Sequence, residues 1–275
     1  MLDSCLALAG IAIPSLVLLL VLRRLEISIE PRIAAQFLAI SIAFVGPGLL
    51  PDRITVPVDE VARGYPYRGV VGEVTPKNPP TNDTTRLFLP WHQVVREEFA
   101  AGRLPLWNRY SFSGYPLLGN GESAPFSPFF LATIFVPLPK QMVAMAGLKI
   151  FVALLFGYLA ARQRGLSTWA ACFAAVVFSL SVYQPVYLNY SAATVSALAP
   201  AALFALTLAV ETRTRRACFL VSAVVASLLV AGHPESVLHV AVGCGVVLAG
   251  DTLLALGGMA ATSIRRRTIA DSGPG

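Results

Sequence analysis

The composition of this 275-residue chain is that of a membrane protein, since 56% of its residues are hydrophobic and only 13% are charged. Soluble domains carry about 25% charged residues, so this deficit excludes an ordinary soluble domain. The net charge of +6 does not indicate nucleic-acid binding. Most arginines stand in short clusters beside apolar runs, where basic residues set membrane topology.

The cysteines predict neither a disulfide framework nor a zinc site. All four lie in apolar runs, without a C-x-x-C motif or a metal-ligand spacing to the three histidines: Cys5, Cys172, Cys218 and Cys244. We expect these side chains to serve as small apolar residues of helices. No cofactor is predicted, and a divalent metal is an alternative that no D-x-D pair supports.

Seven apolar runs predict an all-α polytopic membrane protein with about seven transmembrane helices, each needing roughly 20 residues to cross the hydrocarbon. The runs cover residues 2–22, 33–50, 141–161, 166–186, 192–210, 217–231 and 237–257. Residues 51–123 form a long polar loop. Residues 124–139 are apolar but contain four prolines, which favours a short re-entrant or interfacial segment.

Clusters of arginine predict the orientation of the helices. They follow alternate runs, so that seven helices place all of them on one side: Arg23, Arg24 and Arg32; Arg162 and Arg164; Arg213, Arg215 and Arg216; and residues 265–267. Loops 187–191 and 232–236, on the opposite side, contain no lysine or arginine. Because basic clusters stay in the cytoplasm, we expect the N-terminus and the long loop outside and the C-terminus inside.

The chain therefore divides into four predicted parts. Two transmembrane helices occupy residues 1–50, and an extracytoplasmic loop with amphipathic and re-entrant segments occupies residues 51–140. A five-helix transmembrane bundle occupies residues 141–258. The basic tail, residues 259–275, is expected to be disordered in the cytoplasm.

Two ordered segments are predicted within the long loop. Apolar side chains recur at helical spacing over residues 91–99, between Pro90 and Gly102, which favours a short amphipathic helix on the membrane surface or on the bundle. Residues 102–128 are rich in glycine and proline but also in aromatic side chains. We therefore expect an ordered, irregular loop with a small core of its own, of the kind that is usually functional.

Charged residues of the loop are candidates for chemistry, each with a structural alternative. Asp83 is either a helix N-cap or turn residue, or a carboxylate held at the lip of the bundle as a general base. Asp59 is either a solvated loop residue or the second candidate for that base. Arg103 and Arg109 either pair with the glutamates at positions 97 and 98 or bind a phosphate.

The aromatic residues of the loop also allow two interpretations. Trp107, Tyr110 and Tyr115 either stack on a sugar ring or belong to the interfacial aromatic belt of a membrane protein. Glu122 is either a hydrogen-bonded anchor of its proline-rich loop or a member of a binding site.

Three ionisable residues lie in or beside the predicted helices. A charge costs free energy in lipid, so we expect Glu235 to face the bundle or a cavity beside His233, with Lys149 as its candidate partner. Asp251 either lies in the same interior or marks an early end of the last helix. Since the run 217–231 is short, residues 232–235 are expected to be recessed within the protein.

Six motifs resemble the YfhO family of bacterial membrane proteins, within the GT-C superfamily of polytopic glycosyltransferases. They are P-V-D at 57–59, D-T-T-R-L-F-L-P-W at 83–91, G-R-L-P-L-W-N at 102–108, G-Y-P-L-L-G-N at 114–120, S-A-P-F at 123–126 and A-G-H-P-E at 231–235. Glu122 and Glu235 stand where the family commonly has glutamine. Family members are longer, so we expect this chain to correspond to their N-terminal part.

The resemblance implies a GT-C-like fold with a large first extracytoplasmic loop, in the cytoplasmic membrane of a bacterium. It also implies an activity, the transfer of a sugar from a polyprenyl-phosphate donor to an extracytoplasmic acceptor, which is a cell-envelope polymer, a glycolipid or a protein. The expected partners are therefore this donor, the acceptor and the lipid bilayer, without nucleic acid.

Residue roles follow from that activity. Asp83 is the first candidate for the catalytic base, and Asp59 is the second. Arg86, Arg103 and Arg109 are the candidates for binding the donor phosphate. The candidates for sugar or acceptor binding are Trp91, Trp107, Asn108, Tyr115, Glu122, His233 and Glu235.

Two alternatives belong to other classes of protein. In a transporter or lipid-handling protein, Lys149, Glu235 and Asp251 would form a polar path through the bundle. In a truncated, non-catalytic member of the family, the chain would serve as a scaffold.

Overall fold

The computed structural model describes residues 1–64, 66–75 and 81–271, with side chains described as far as Leu256. The helices are α1 (Leu2–Arg24), α2 (Pro31–Leu49), α3 (Asp59–Ala62), α4 (Arg68–Val71), α5 (Leu89–Ala100), α6 (Pro128–Ala132), α7 (Lys140–Gln163), α8 (Thr168–Ser179), α9 (Tyr183–Val186), α10 (Ser191–Thr212), α11 (Arg215–Leu229) and α12 (Pro234–Asp271). A π-helical turn, Thr84–Phe88, leads directly into α5. A two-residue hairpin pairs β1 (Trp107–Asn108) with β2 (Tyr115–Pro116), and a 3₁₀ turn covers Leu118–Asn120.

Within the described residues, five helices are long and apolar enough to cross a membrane: α1, α2, α7, α10 and the Pro234–Leu256 part of α12. The described part of the chain is therefore all-helical apart from its small hairpin, and helix length and hydropathy indicate a multi-pass membrane protein.

The other two predicted transmembrane runs form shorter helices. α8 has 12 residues and α11 has 15, which correspond to about 18 Å and 22 Å at 1.5 Å per residue. Both fall short of the roughly 30 Å hydrocarbon core. Their N-termini are defined by side-chain caps, because the hydroxyls of Ser167 and Thr214 accept hydrogen bonds from the amides of Ala170 and Ala217.

Helix α7 forms the centre of the bundle. Its apolar stretch is 94% buried, and it packs against α1, α2, α6, α8 and α10. By contrast, the apolar stretch of α12 is only 6% buried, and this helix packs on α10 and α11 at the periphery. The outer helices thus leave apolar side chains exposed, as expected for surfaces that face lipid.

The arginine clusters lie together at one end of the bundle, which we call the arginine end. Arg216 pairs with Glu26 of the α1–α2 loop, and the Gln163 amide hydrogen-bonds to Glu211 at 2.8 Å. Arg164 pairs with Asp251 on α12 at 2.6 Å. These contacts confirm that the first three predicted clusters share one side. The side chains of residues 265–267 lie outside the described residues.

The opposite end, which we call the loop end, carries the long connection between α2 and α7. The Lys140 ammonium donates to the carbonyls of Gly48, Leu50 and Arg53 at 2.6–2.7 Å, and so binds the end of α2 to the start of α7. Asn189, from the α9–α10 loop, donates to the Thr55 carbonyl at 2.8 Å. The loops of this end therefore pack on one another.

The amphipathic helix predicted within the loop is α5, and it packs on the protein through its buried residues Trp91, Val94 and Val95. The predicted re-entrant segment contains only the five-residue α6, followed by irregular chain. Arg96 of α5 holds this chain in place. Its Nη1 lies 2.7 Å from the Ile134 carbonyl, 2.9 Å from the Val136 carbonyl and 2.7 Å from the Gln141 side-chain oxygen.

The hairpin loop at 102–128 is ordered, but its apolar content is not collected in a core as predicted. Leu117 is fully buried, whereas Phe112 is 94% exposed and Leu104 and Tyr110 are also exposed. The short hairpin places these side chains on the outside, since a two-residue ladder has no second layer to cover them.

The last helix continues to Asp271, through residues 259–271, which were expected to belong to a disordered tail. No proline occurs between Pro234 and that end of the helix, and the tail is rich in alanine and arginine, which favour helix. Residues 272–275 lie outside the described residues.

Replacing Arg96 with alanine is expected to destabilise the protein by about 2 kcal/mol, because three acceptors lose a charged donor at once. The unfolding temperature in detergent should fall by several degrees. The matched control is Arg68→Ala, which removes an exposed arginine paired with Glu73 and should change stability by less than about 1 kcal/mol. Equal effects of the two changes would contradict the role assigned to Arg96.

Candidate active site

The predicted base, Asp83, stands at a distinctive point of the loop end. It is half-buried and immediately precedes the π-helical turn, but within the described residues its side chain makes no capping hydrogen bond. The turn is started by the Asn82 carbonyl instead, which accepts from the amides of Thr85 and Arg86 at 3.1 Å. The N-cap alternative therefore does not explain Asp83. Single π-helical turns often occur at functional sites.

Tyr190 is the residue that connects Asp83 to the bundle. Its hydroxyl hydrogen-bonds with the Thr84 side chain and the Asp83 backbone. Burial and then the negative charge of Asp83 raise the pKa of this phenol. The Tyr190 carbonyl in turn accepts from the ammonium of Lys149 at 3.1 Å. Tyr190 thus lies between the predicted base, Asp83, and the buried ammonium group of Lys149.

Tyr190 is not among the residues predicted from the sequence to form the site. The available signal is weak, namely a polar and aromatic stretch in a short loop between two predicted helices. Its ring also stacks on Phe88 of the π-helical turn, with centroids 5.0 Å apart, and Phe88 stacks edge-on with Trp91 at 5.4 Å. These contacts hold the turn against the start of α10.

Asp59 lines an open cleft beside this cluster. The cleft lies between residues 52–59, Thr81, Thr84 and the α9–α10 loop around Asn189. Helix α3, which begins at Asp59, also packs against the π-helical turn. The structure therefore places both predicted carboxylates around the same turn.

Three residues predicted to bind sugar contact one another through hydrogen bonds. The Trp91 indole N–H and the Asn108 amide both donate to the Tyr115 hydroxyl, the latter at 3.1 Å. Trp91 and Asn108 are buried, so their polar atoms are occupied in attaching the hairpin to α5.

Trp107, another member of that predicted group, is accessible, with 53% of its surface exposed. One side of its indole is covered by Gly114, where an added Cβ would lie only 2.2 Å from the ring nitrogen. Gly114 has φ of +103°, a conformation that favours glycine. The hairpin turn therefore requires glycine on both steric and conformational grounds.

Two of the three predicted phosphate-binding arginines are engaged by carboxylates. Arg103 contacts Glu98 through two hydrogen bonds of 2.7 and 3.1 Å, and Arg109 lies 3.3 Å from the same carboxylate and 3.5 Å from Glu97. Hydrogen bonds from Arg103 lower the pKa of Glu98. Arg86 is exposed, and no described residue forms a hydrogen bond or ion pair with its guanidinium.

Glu122 and His233, predicted from distant parts of the sequence, lie together. The carboxylate is 4.0 Å from His233 Nε2, and Nδ1 of the same ring accepts from the Ser236 amide at 3.2 Å. The adjacent Gly232 is buried against the Gly121 carbonyl and Ala124, where a Cβ would lie within 3.0 Å. The predicted recessed turn is thus packed under the loop.

Glu235 and Lys149 do not form the predicted pair. Glu235 is exposed rather than directed into the bundle, because it stands in the first turn of the peripheral α12. Lys149 is 2% exposed and donates to the carbonyls of Leu188 and Tyr190 at 2.8 and 3.1 Å. Asp251 pairs with Arg164 at the arginine end, so the three residues form no continuous path among the described side chains.

Metal ligands do not cluster at this site, since no group of three His, Cys, Asp or Glu side chains able to hold a metal occurs within the described residues. Comparisons with protein-family models, curated proteins and solved structures find no match to the chain. The resemblance to the YfhO family therefore depends on the sequence motifs alone.

Changing Asp83 to asparagine should lower the pKa of Tyr190, because the negative charge that disfavours the phenolate is removed. The titration can be followed by NMR of ¹³Cζ-labelled tyrosine in nanodiscs, with Tyr190→Phe to assign the signal. Asp59→Asn is the matched control and should leave the Tyr190 titration unchanged. An unaltered pKa in Asp83→Asn would show that the carboxylate does not act on Tyr190.

His92 of α5 should stay neutral throughout the physiological range. Burial, then the charges of Lys149 and Arg96, lower its pKa to about 3. The unfolded chain binds a proton at this histidine below a pH of about 6.5, so stability should fall as the pH drops from 7 towards 4. His92→Phe should flatten this dependence in thermal unfolding measurements; an identical pH profile would refute the assignment.

Proposed function

We propose that this protein is a membrane glycosyltransferase that moves a sugar from a polyprenyl-phosphate carrier to an acceptor outside the cytoplasm. The observation that carries the proposal is the position of Asp83. Its carboxylate lies beside the π-helical turn, without a capping role in the described residues, next to Tyr190 and close to a cleft.

The chemistry of this reaction needs few catalytic groups. A phosphate leaving group is already anionic, so a general acid is not required, in contrast to glycosidases. One carboxylate must accept the proton of the acceptor hydroxyl, and a cation must offset the charge that develops on the phosphate. In this proposal Asp83 is the base, and the sugar is transferred with inversion.

Among the predicted arginines, Arg86 fits the cationic role best. It follows Asp83 by one turn and is exposed, and its guanidinium is unpaired within the described residues. Arg103 and Arg109 hold Glu98 and the hairpin instead. The proposal therefore assigns donor binding to Arg86 and structural roles to the other two.

In the proposed topology, seven helices enter the membrane. The arginine end is cytoplasmic, which puts the loop end and Asp83 outside, where a lipid-linked sugar would be used. α8 and α11 return the chain from the arginine end but stop within the membrane. The irregular segments that follow them are then covered by protein, as irregular backbone at that depth requires.

The transporter alternative has less support. Lys149 binds backbone carbonyls, Glu235 is exposed at the periphery and Asp251 pairs with Arg164. A non-catalytic scaffold remains the second candidate, and activity measurements separate it from the transferase.

The test uses the purified protein in nanodiscs. It measures the transfer of radiolabelled sugar from a polyprenyl-phosphate hexose to membrane acceptors. Asp83→Asn should lower the rate by about 10²–10⁴-fold, the usual contribution of a general base, without weakening donor binding. Asp59→Asn should have a smaller effect. Wild-type protein without transfer to any acceptor fraction would reject the transferase and favour the scaffold.

Donor binding tests the role of the arginines. Arg86→Ala should weaken binding of the polyprenyl-phosphate hexose about tenfold, because a charge-assisted hydrogen bond is lost. The double change Arg103→Ala with Arg109→Ala is the control and should act on thermal stability more than on affinity. If the double change lowers the affinity for the donor and Arg86→Ala does not, the donor phosphate would be assigned to Arg103 and Arg109 instead.

A further inference from the structure

The two buried lysines of α7 differ in how their ammonium groups are satisfied. An ammonium carries three N–H donors. Lys140 uses all three, on the carbonyls of Gly48, Leu50 and Arg53. Lys149 has two acceptors among the described residues, the carbonyls of Leu188 and Tyr190. One N–H of Lys149 therefore lacks an acceptor there.

Two hydroxyl groups beside Lys149 are also unsatisfied. Ser127 and Ser191 are 2% and 5% exposed, and neither side-chain oxygen has a hydrogen-bond partner among the described residues. Both line the same narrow cavity as Lys149. Buried polar groups are normally hydrogen-bonded, so three donors in one cavity indicate that an acceptor belongs between them.

An anion meets two needs of this cavity at once, a hydrogen-bond acceptor and a counter-charge for Lys149. No described carboxylate forms an ion pair with Lys149, although a charge buried without a counter-ion is strongly destabilising. A water molecule could satisfy the hydrogen bonds but carries no charge, and the Glu122 carboxylate that lines the same cavity forms no ion pair with Lys149. A phosphate oxygen supplies both the acceptor and the charge.

We propose that Lys149, Ser127 and Ser191 bind a phosphoryl oxygen of the lipid-linked sugar donor. This inference rests on the proposed function and names the group that the site would hold. Because the cavity is narrow, it takes in one oxygen, while the rest of the phosphate lies at the mouth. Among the residues that line the cavity, Glu122, Asn189 and Tyr190 are half-buried, whereas Lys149, Ser127 and Ser191 are buried. The mouth of the cavity is therefore assigned to the three half-buried residues.

The charges at the mouth predict which phosphate is preferred. Lys149 supplies one positive charge, and the carboxylate of Glu122 lines the same cavity. A sugar phosphodiester carries one negative charge, whereas inorganic phosphate carries between one and two at neutral pH. The site should therefore favour the phosphodiester of a polyprenyl-phosphate hexose over inorganic phosphate.

Binding to the full chain in nanodiscs, measured by native mass spectrometry, tests the proposal. The probes are a polyprenyl-phosphate hexose, inorganic phosphate and phosphatidylglycerol. Lys149→Met, and separately Ser127→Ala with Ser191→Ala, should each weaken hexose-donor binding about tenfold or more. The serine variant keeps the fold testable if loss of Lys149 impairs folding.

Matched controls are available elsewhere in the chain. Lys140→Met removes a buried lysine whose donors are all used. Ser179→Ala removes a buried hydroxyl that also lacks a partner in the described residues but stands on α8, away from the cavity. Both should retain donor binding, although Lys140→Met should lower thermal stability.

The outcomes separate this inference from the proposed function. If only water occupies the cavity, donor binding should be equal in the wild type and in all variants. That result would overturn the phosphate site but would not contradict the transferase proposal. Equal wild-type affinity for phosphatidylglycerol or inorganic phosphate would overturn the assignment to a lipid-linked sugar. Absence of donor binding by the wild type would reject the transferase and the site together.

Discussion

The burial of α7 on every side imposes the main physical constraint on this protein. Two lysines lie on that helix, and an ammonium group withdrawn from water must find acceptors inside the protein. Both find them in backbone carbonyls of other segments, at the end of α2 and in the α9–α10 loop. The lysines therefore connect the central helix to the irregular chain of the loop end, and the geometry of that end depends on them.

Short helices complete the same arrangement. α8 and α11 end before they could cross a hydrocarbon core of about 30 Å, and the segments after them carry Tyr190 and Gly232. The first is held by Lys149 and the second is buried against the loop around Ala124.

The candidate site lies where these recessed segments meet the loop between α2 and α7. Asp83 comes from the π-helical turn, Tyr190 from the α9–α10 loop and Glu122 from the proline-rich segment. The hairpin and its two paired arginines lie beside α5 and stabilise the arrangement through Glu98. The charged groups of this end have different partners: the carboxylates of α5 pair with Arg103 and Arg109, while Lys149 donates to two backbone carbonyls.

Local information in the sequence determined the long helices, the amphipathic α5 and the common side of the arginine clusters, because hydropathy and helical period act over neighbouring residues. The sequence motifs also identified Asp83 and Glu122 as candidate site residues. Only the tertiary structure showed that Arg103 and Arg109 pair with the carboxylates of α5, placed Tyr190 beside Asp83 and directed Lys149 away from Glu235. The physical reason is that Lys149 donates to two backbone carbonyls, which every residue possesses and no sequence pattern reveals.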